Sequence, residues 1–358
     1  MATIVQNEPE AAAVEQFIGR GITDIAGAMT TIFCIVGDRL GLFQALDQGP
    51  ANASELAGRA GIDERYALEW LRGLAAAGYL EKVDAEERYV LPPAHAVVLA
   101  REGNPLFVGG AFQELGGMLS ALERIIEAFR AGGGVPQAAY PDDAYTGMAR
   151  FTAPWFDHHL VGAWLPLLPE LRTRLDDGVR WADVGCGAGR AVIRLAQEFP
   201  QSTFAGFDVF PAQVERARSA AAEAGVADRV SFEVADAANG IPGSWDVIST
   251  FDVVHDAVDP DALVAGIRRS LAADGTYLML ELNCADEHAD NRGPLATVLY
   301  GFSVLYCMTT SLAHGGAGLG TCGCPPAVVE RIGRGAGFGT VDEVPIGDPF
   351  NKLYQLRP

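Results

Sequence analysis

The sequence predicts an α/β chain: a doubly wound, Rossmann-like sheet in the C-terminal half, behind a helical front carrying a winged helix-turn-helix. Three observations predict it. Trp181-Ala-Asp-Val-Gly-Cys-Gly-Ala-Gly-Arg190 reads as a strand end, a glycine turn and a first helical turn. Acid-ended strands then recur between helical stretches, at Asp208 and Asp236. Two capped helices and two short strands fill residues 54–91.

Taken in order, residues 1–10 read as a loose tail. Ala11 to about Leu46 is helical, with Val14, Phe17, Ile18, Ile22 and Ile25 on one apolar face, and Gly49-Pro50 ends it. Ser54 is expected to cap a helix from Glu55 to Ala60, and Asp63 one from Glu64 to Ala77. Tyr79–Val83 and Arg88–Leu91 form the wing around the polar turn 84–87. A DNA-reading module needs a basic second helix. This one carries as many acids as bases and the wing turn is acidic, so no nucleic-acid role is expected. Dimerisation through residues 11–46 is expected, because that much apolar helical surface seeks a partner.

Residues 96–175 read as a helical linker between an N-terminal domain (1–95) and a sheet domain (176–358). Phe112, Leu115, Met118, Leu122, Ile125 and Phe129 keep helical spacing until the glycines at 132–134 interrupt it. The stretch to Pro154, with Tyr140, Tyr145 and Met148 among breakers, reads as a loop that can serve as a lid. Trp155–Trp164 is a helix entering the sheet domain, whose inner face offers Trp155 and His159. His158 and His159 cannot both point inward from adjacent positions.

Length and composition bound the function. The 358-residue chain has room for two domains, and its formal charge of −20 argues against general affinity for phosphate backbones. No uninterrupted apolar run reaches a bilayer span, and no charged-then-apolar leader pattern is read, so no membrane role is expected. Six scattered cysteines fit a reducing cytoplasm. Cys322-Gly-Cys324 is the one close pair, and no second pair follows at zinc-site spacing. No carboxylate cluster is apparent, and no metal is expected.

The glycine spacing separates two cofactor classes. A dinucleotide loop reads G-x-G-x-x-G and holds a pyrophosphate. Here Gly185, Gly187 and Gly189 follow Asp183 at every second position, and Arg190 stands where the last dinucleotide glycine belongs. Asp183 is badly placed for a phosphate and well placed for an ammonium group. A nicotinamide-dependent oxidoreductase is excluded on this spacing. Asp208, with Val209, lies about 20 residues on, where nucleotide-type folds put the carboxylate that grips both ribose hydroxyls. A third strand ends at Asp236-Ala237, a fourth runs from Trp245 to Asp252 and includes Phe251, and a fifth spans Gly275–Leu282. His255 follows the fourth strand, where ligands of such folds sit. A histidine there has the right pKa to take an acceptor proton, with Asp256 and Glu281 to orient or charge-stabilise it.

The pattern Asp-x-Gly-x-Gly-x-Gly resembles motif I of the class I S-adenosylmethionine (SAM) methyltransferases. The whole chain, with Val254-His255-Asp256 after the fourth strand, resembles the two-domain small-molecule methyltransferases, including plant caffeate-type O-methyltransferases. Ala257 replaces the tryptophan that follows the plant His-Asp pair. A still nearer resemblance is to an actinobacterial group sharing Val-Ala-Asp-Val-Gly-Cys-Gly, Val-His-Asp and the stretch Tyr300-Gly-Phe-Ser-Val-Leu-Tyr-Cys307. The resemblance implies a seven-stranded sheet ending in a reversed hairpin and SAM as methyl donor with S-adenosylhomocysteine as product; the partner sought by residues 11–46 is expected to be a second copy, making a homodimer. It implies Asp183, Gly185, Gly187, Gly189, Asp208, Val209, Asp236, Ala237 and Phe251 at the cofactor, and His255 as base with Glu281. The acceptor is expected to be a small organic molecule lined by Tyr300, Ser303 and Tyr306 of a helix over Leu295–Leu312, under a glycine loop (His314–Cys324). Two rivals remain in sequence terms: a SAM-binding protein catalysing another reaction, and a SAM-sensing regulator.

Overall fold

The computed structural model describes residues 10–358, so the tail expected for residues 1–10 lies, apart from Glu10, outside the described residues. These residues form two compact units, one ending at Gly116 and one starting at Gly117.

The first unit opens with α1 (Ala11–Arg39). The helix does not run to Leu46 as the periodicity predicts. Gly41 takes a left-handed φ of +67°, and the chain restarts as α2 (Leu42–Asp47). Next comes α3 (Ala53–Ala60), which begins earlier than the Ser54 cap implies. The Asn52 side chain accepts from Glu55 N–H while Glu55 accepts from Asn52 N–H, a reciprocal cap that Ser54 cannot supply. Asp63 caps α4 (Glu64–Ala76) by accepting from the N–H groups of Arg65 and Tyr66. The wing is β1 (Glu81–Lys82) paired antiparallel with β2 (Tyr89–Val90). Phe43, Leu46, Leu56, Trp70, Leu71 and Leu74 form the core, and Trp70 donates its indole N–H to Phe33 O at 2.8 Å. Both α4 arginines are engaged by acids, Arg65 by Glu69 and Arg72 by Glu87 of the wing turn. Helices α5 (Pro93–Leu99) and α6 (Gly109–Leu119) follow.

On α1 the residues Phe17, Ile18, Ile22, Ile25, Met29 and Ile32 are between 48% and 71% exposed. From Ile18 onward they recur every three or four positions, one continuous stripe. Two helices, Ala11–Arg39 and Gly293–Ala313, reach the length and mean hydropathy of a membrane span by composition. This corrects the expectation that nothing does: a few charges in the first helix, and only threonines and serines in the second, interrupt the apolar run without lowering the average below that of a span. In the second, close to half of the window is buried inside the protein.

The second unit begins with α7 (Leu122–Ala131), set off from α6 by a turn at Ser120-Ala121. The stretch expected as a loop contains α8 (Asp142–Pro154), which continues as a wide π-helical segment, Trp155–Trp164. After α9 (Pro169–Asp177) the doubly wound part alternates β3 (Arg180–Val184), α10 (Arg190–Glu198), β4 (Thr203–Asp208), α11 (Pro211–Glu223), β5 (Val230–Val234), β6 (Trp245–Phe251), α12 (Pro260–Ser270) and β7 (Leu271–Leu282). Strand β7 starts four residues before the predicted Gly275, because Leu271 pairs with Trp245 across a register irregularity. Helix α13 (Gly293–Phe302), a π turn (Ser303–Cys307) and α14 (Met308–Ala313) run on without interruption, followed by α15 (Pro326–Gly335). The strands β8 (Thr340–Val344) and β9 (Asn351–Arg357) close a seven-stranded sheet of order β5-β4-β3-β6-β7-β9-β8. Only β9 runs against the rest, so the chain ends in the expected reversed hairpin.

Alternation on β3 divides the core in two. Trp181 faces Val192, Leu195 and Phe199 on one side of the sheet, and Ala182 and Val184 face Ile248, Val264 and Ile267 on the other. Chain order reverses between β3 and β6, so the crevice that receives ligands opens at the carboxyl ends of these two strands.

Candidate active site

The glycine turn after β3 is built by left-handed backbone at Gly185, Gly187 and Gly189, with φ of +69°, +51° and +79°. Gly185 and Cys186 both donate to Phe207 O, which folds the turn back onto β4. A Cβ on Gly189 would lie 2.6 Å from the Phe232 ring, and one on Gly185 2.6 Å from Val253. Gly187 is different. Nothing lies within 4 Å of a Cβ built there, so its outer face is a cradle open to a ligand.

Carboxylates surround that cradle. Asp208 at the end of β4 accepts from Gly187 N–H at 2.9 Å and from Phe210 N–H at 2.8 Å, and burial raises its pKa above the usual carboxylate value despite those bonds. Asp183 is 2% exposed and accepts from Ser249 Oγ at 2.6 Å; Trp181 in turn donates to that same Oγ at 2.8 Å. Burial lifts the Asp183 carboxyl to about 7, against the pull of Ser249 and with a further push from Asp208. Asp236 caps a short turn by accepting from Ala238 N–H, and the following Ala237 is buried. Val209 is exposed, and Phe251 packs edge-on to Phe156 with ring centroids 5.3 Å apart. The open glycine and flanking carboxylates suit a cationic, phosphate-free nucleoside better than a pyrophosphate.

Past β6 the chain turns through Asp252, whose φ of +57° is unusual for a non-glycine residue. His255 is buried on the next turn. Its Nδ1 lies 2.6 Å from Glu281 Oε2, and its Nε2 lies 3.1 Å from Asp256 Oδ1. The other Glu281 oxygen accepts from Val254 N–H at 2.8 Å. Burial opposes a charge on His255, but Asp256 and Glu281 together outweigh it and hold the imidazole pKa well above its ordinary value. The ring also meets the Cys307 thiol, itself pushed up to about 12 by burial first and Asp256 second.

The remaining predicted positions fall in different places. Ser303 is buried, with its Oγ 2.1 Å from where a Gly320 Cβ would lie. Tyr306 is buried among aromatics, edge-on to Tyr140 at 5.2 Å and to Tyr145 at 6.3 Å. Tyr300 is 41% exposed. Trp155 packs in the core against Phe151, while His159 stacks on Trp164 and leaves His158 exposed. Sequence reasoning missed Asp252, Cys307 as a neighbour of His255, and the two tyrosines, which anchor their hydroxyls on Leu305 O and Gln137 O at 2.6 Å. Cys307 closes the quoted Tyr300–Cys307 stretch, which was the one available signal.

The expected lack of a carboxylate cluster does not hold. Asp252, His255 and Glu281 bring ligand atoms within 4.8 Å of one another, as do His255, Asp256 and Cys307. Both groups share His255, whose two ring nitrogens already face carboxylates.

A glycine turn, a ribose-type acid and a carboxylate-backed histidine at the strand ends of this sheet define a class I methyltransferase site. Residues 175–299 match the family model for a methyltransferase domain, and residues 28–101 match that for an Rv2258c-like winged HTH domain. The chain is 30% identical over 292 residues to the 3-hydroxy-5-methyl-1-naphthoate 3-O-methyltransferase of Streptomyces sahachiroi, covering 79% of this chain and 82% of that one. It is 27% identical over 255 residues to the 8-amino-8-demethylriboflavin N,N-dimethyltransferase of Streptomyces davaonensis, covering 68% and 72%. Human N-acetylserotonin methyltransferase, solved in complex with SAM, shares the fold with a TM-score of 0.67 at 17% identity, covering 100% of this chain and 99% of that one. The chain belongs to the two-domain SAM-dependent methyltransferases that act on small molecules.

Proposed function

We propose that the protein methylates a phenolic hydroxyl of a small aromatic secondary metabolite, with His255 as the proton acceptor. The observation that carries this reading is the Glu281–His255–Asp256 line, set against the cofactor turn through the Gly185–Val253 contact. SAM, when bound, supplies an activated methyl group. Gly187 and Asp208 hold its nucleoside part in this reading, Asp183 its ammonium group, and Asp236, Ala237 and Phe251 its base.

His255 is poised as a strong base. Burial opposes its charge, but Asp256 and Glu281 raise its pKa above the ordinary imidazole value, so its neutral form takes up a proton more readily than a free histidine does, and an acceptor reaches Nε2 by displacing Asp256. Glu281 then stabilises the imidazolium and keeps the ring aimed. Tyr306, Tyr140 and Tyr145 offer an aromatic wall on the Cys307 side. The surrounding apolar core excludes water, which leaves alignment of acceptor and methyl group as the protein's main contribution. We assign the α1 stripe to a homodimer, because a row of apolar residues at three- and four-residue spacing is the seam of a paired helix. Six free cysteines support a cytoplasmic setting.

Calorimetric titration tests the cofactor. SAM and S-adenosylhomocysteine bind saturably, NAD does not, and Asp208→Ala removes binding. No binding of either sulfur ligand to the wild-type protein overturns the reading.

A further inference from the structure

Three cysteines gather beside the site without a role in the reaction. Cys284 is 3% exposed, two residues past the end of β7 and three past Glu281. Cys324 is buried, and Cys322 is partly exposed, both at the end of the glycine loop that follows α14. Cys284 Sγ lies 3.6 Å from Cys322 O, and the two thiols are in hydrogen-bond contact.

That loop is packed onto the turn carrying His255. Ala317 N–H donates to Val258 O at 2.9 Å, Gly318 N–H donates to Ser311 Oγ at 3.1 Å, and Ser311 Oγ donates to Ala257 O at 2.9 Å. A Cβ on Gly316 would lie 2.7 Å from Val258 Cα. Thr321 touches the Cys307 thiol, which touches His255. Two non-covalent attachments therefore hold the loop near its ends: Val258 and Ser311 at one, Cys284 at the other. His255 is 2% exposed, and this loop is among the segments packed around its turn.

We propose that Cys284 and Cys322 form a reversible dithiol–disulfide pair, whose closure latches the glycine loop onto the His255 turn and stops turnover. The oxidant is a low-molecular-weight disulfide. The Cys322 thiolate attacks one of its sulfurs and expels one small thiolate, giving a mixed disulfide. Cys284 then attacks Cys322 Sγ, its proton going to the second small thiolate that leaves. The balance is two protein thiols and one small disulfide in, one protein disulfide and two small thiols out. Cys322 is suited to attack first. The Cys284 thiol lowers its pKa, outweighing burial, and the positive charge of His255 adds to the effect. Cys284 is the partner because its thiol is in hydrogen-bond contact with that of Cys322.

The activity half of the proposal rests on the methyltransferase reading; the covalent half does not. The full-length protein is equilibrated over a range of glutathione to glutathione-disulfide ratios, alkylated and mapped by mass spectrometry. The expected result is a loss of 2 Da with a cross-link between the Cys284 and Cys322 segments, and a loss of turnover of more than about tenfold that dithiothreitol reverses. Affinity for S-adenosylhomocysteine stays unchanged. Cys284→Ser and Cys322→Ser each keep basal turnover and become insensitive to oxidation, while Cys324→Ser stays sensitive. A cross-link to Cys324 or Cys307, a glutathione adduct alone, or no oxidation at any ratio overturns the pair. A Cys284–Cys322 cross-link that leaves turnover intact overturns the latch. Failure to bind S-adenosylhomocysteine before oxidation points instead to failure of the cofactor reading.

Discussion

Glu281 holds His255 twice: one carboxylate oxygen lies 2.6 Å from the ring Nδ1, and the other accepts from the backbone N–H of Val254 at 2.8 Å. A single side chain on β7 thus fixes both the imidazole and the turn that carries it. Glu281 is fully buried, and among the described residues its hydrogen-bond partners are the His255 ring and Val254 N–H.

Removing the ring separates chemistry from binding. His255→Ala is expected to lower kcat by about 10²- to 10⁴-fold. Affinity for S-adenosylhomocysteine, measured by calorimetry, stays close to wild type. Unchanged turnover removes the base from the mechanism and leaves positioning alone.

The pH profile reports the two carboxylates. Burial opposes a charge on His255, but the two carboxylates outweigh it and raise its pKa, so the protonated ring persists to higher pH than in a free histidine. The base form grows as pH rises, and kcat/KM is expected to climb with an inflection above the ordinary histidine value of about 6.5. Glu281→Gln removes one of the raising charges and moves that inflection to lower pH, with a fall in the alkaline plateau.

Asp183 gives the cofactor its own pH dependence. Its carboxyl titrates near 7 in the free protein, raised from 3.8. An ammonium group needs the ionised form, so affinity for S-adenosylhomocysteine rises by up to about tenfold per pH unit below 7 and levels off above it. The stability of the ligand-free protein runs the other way. The raised acid favours folding fully below its unfolded pKa, and that contribution is lost as pH rises through 7. Asp183→Asn flattens both curves, as calorimetry and thermal melts at several pH values will show.

Two glycines of one turn are expected to fail differently. Gly189→Ala meets the Phe232 ring at a φ of +79° and costs about 2 kcal/mol or more of stability, read from the melting transition. Gly187→Ala meets no protein atom and costs about 1 kcal/mol for its left-handed backbone. The new methyl group fills the open cradle, so this variant folds and loses cofactor binding.

The α1 stripe is tested by sedimentation velocity. Wild-type protein is expected as a dimer, and Ile22→Glu with Ile25→Glu as a folded monomer. A monomeric wild type removes the assignment.

What was legible in the sequence was local. The glycine turn, the acids at Asp208 and Asp236 and the helix from Arg190 depend on neighbours within a few residues, and each lies where spacing puts it. The break at Gly41 was hidden because the apolar face continues across it. Asn52 was passed over as a cap because Ser54 offers the same chemistry two residues later. The placements that sequence did not disclose are long-range. Tyr140 reaches Leu305 across 165 positions, and Cys307 meets His255 because the chain after the π turn packs, as α14, against the His255 turn. The left-handed Asp252 has no pattern of its own: asparagine and glycine advertise such turns, whereas an aspartate after a strand equally suits a helix cap.

The π turn Ser303–Cys307 holds one residue more than an α-helical path would need. Deleting a single codon within it would restore a plain α-helix and leave the turns on either side close to where they are. Cys307, inside the turn, would change its approach to His255, while Thr309 beyond it, whose carbonyl and hydroxyl both accept from Val135 N–H, would keep its partner. The surroundings of His255 can therefore be recast by a change of length rather than of residue type, while the sheet and the glycine turn stay as they are.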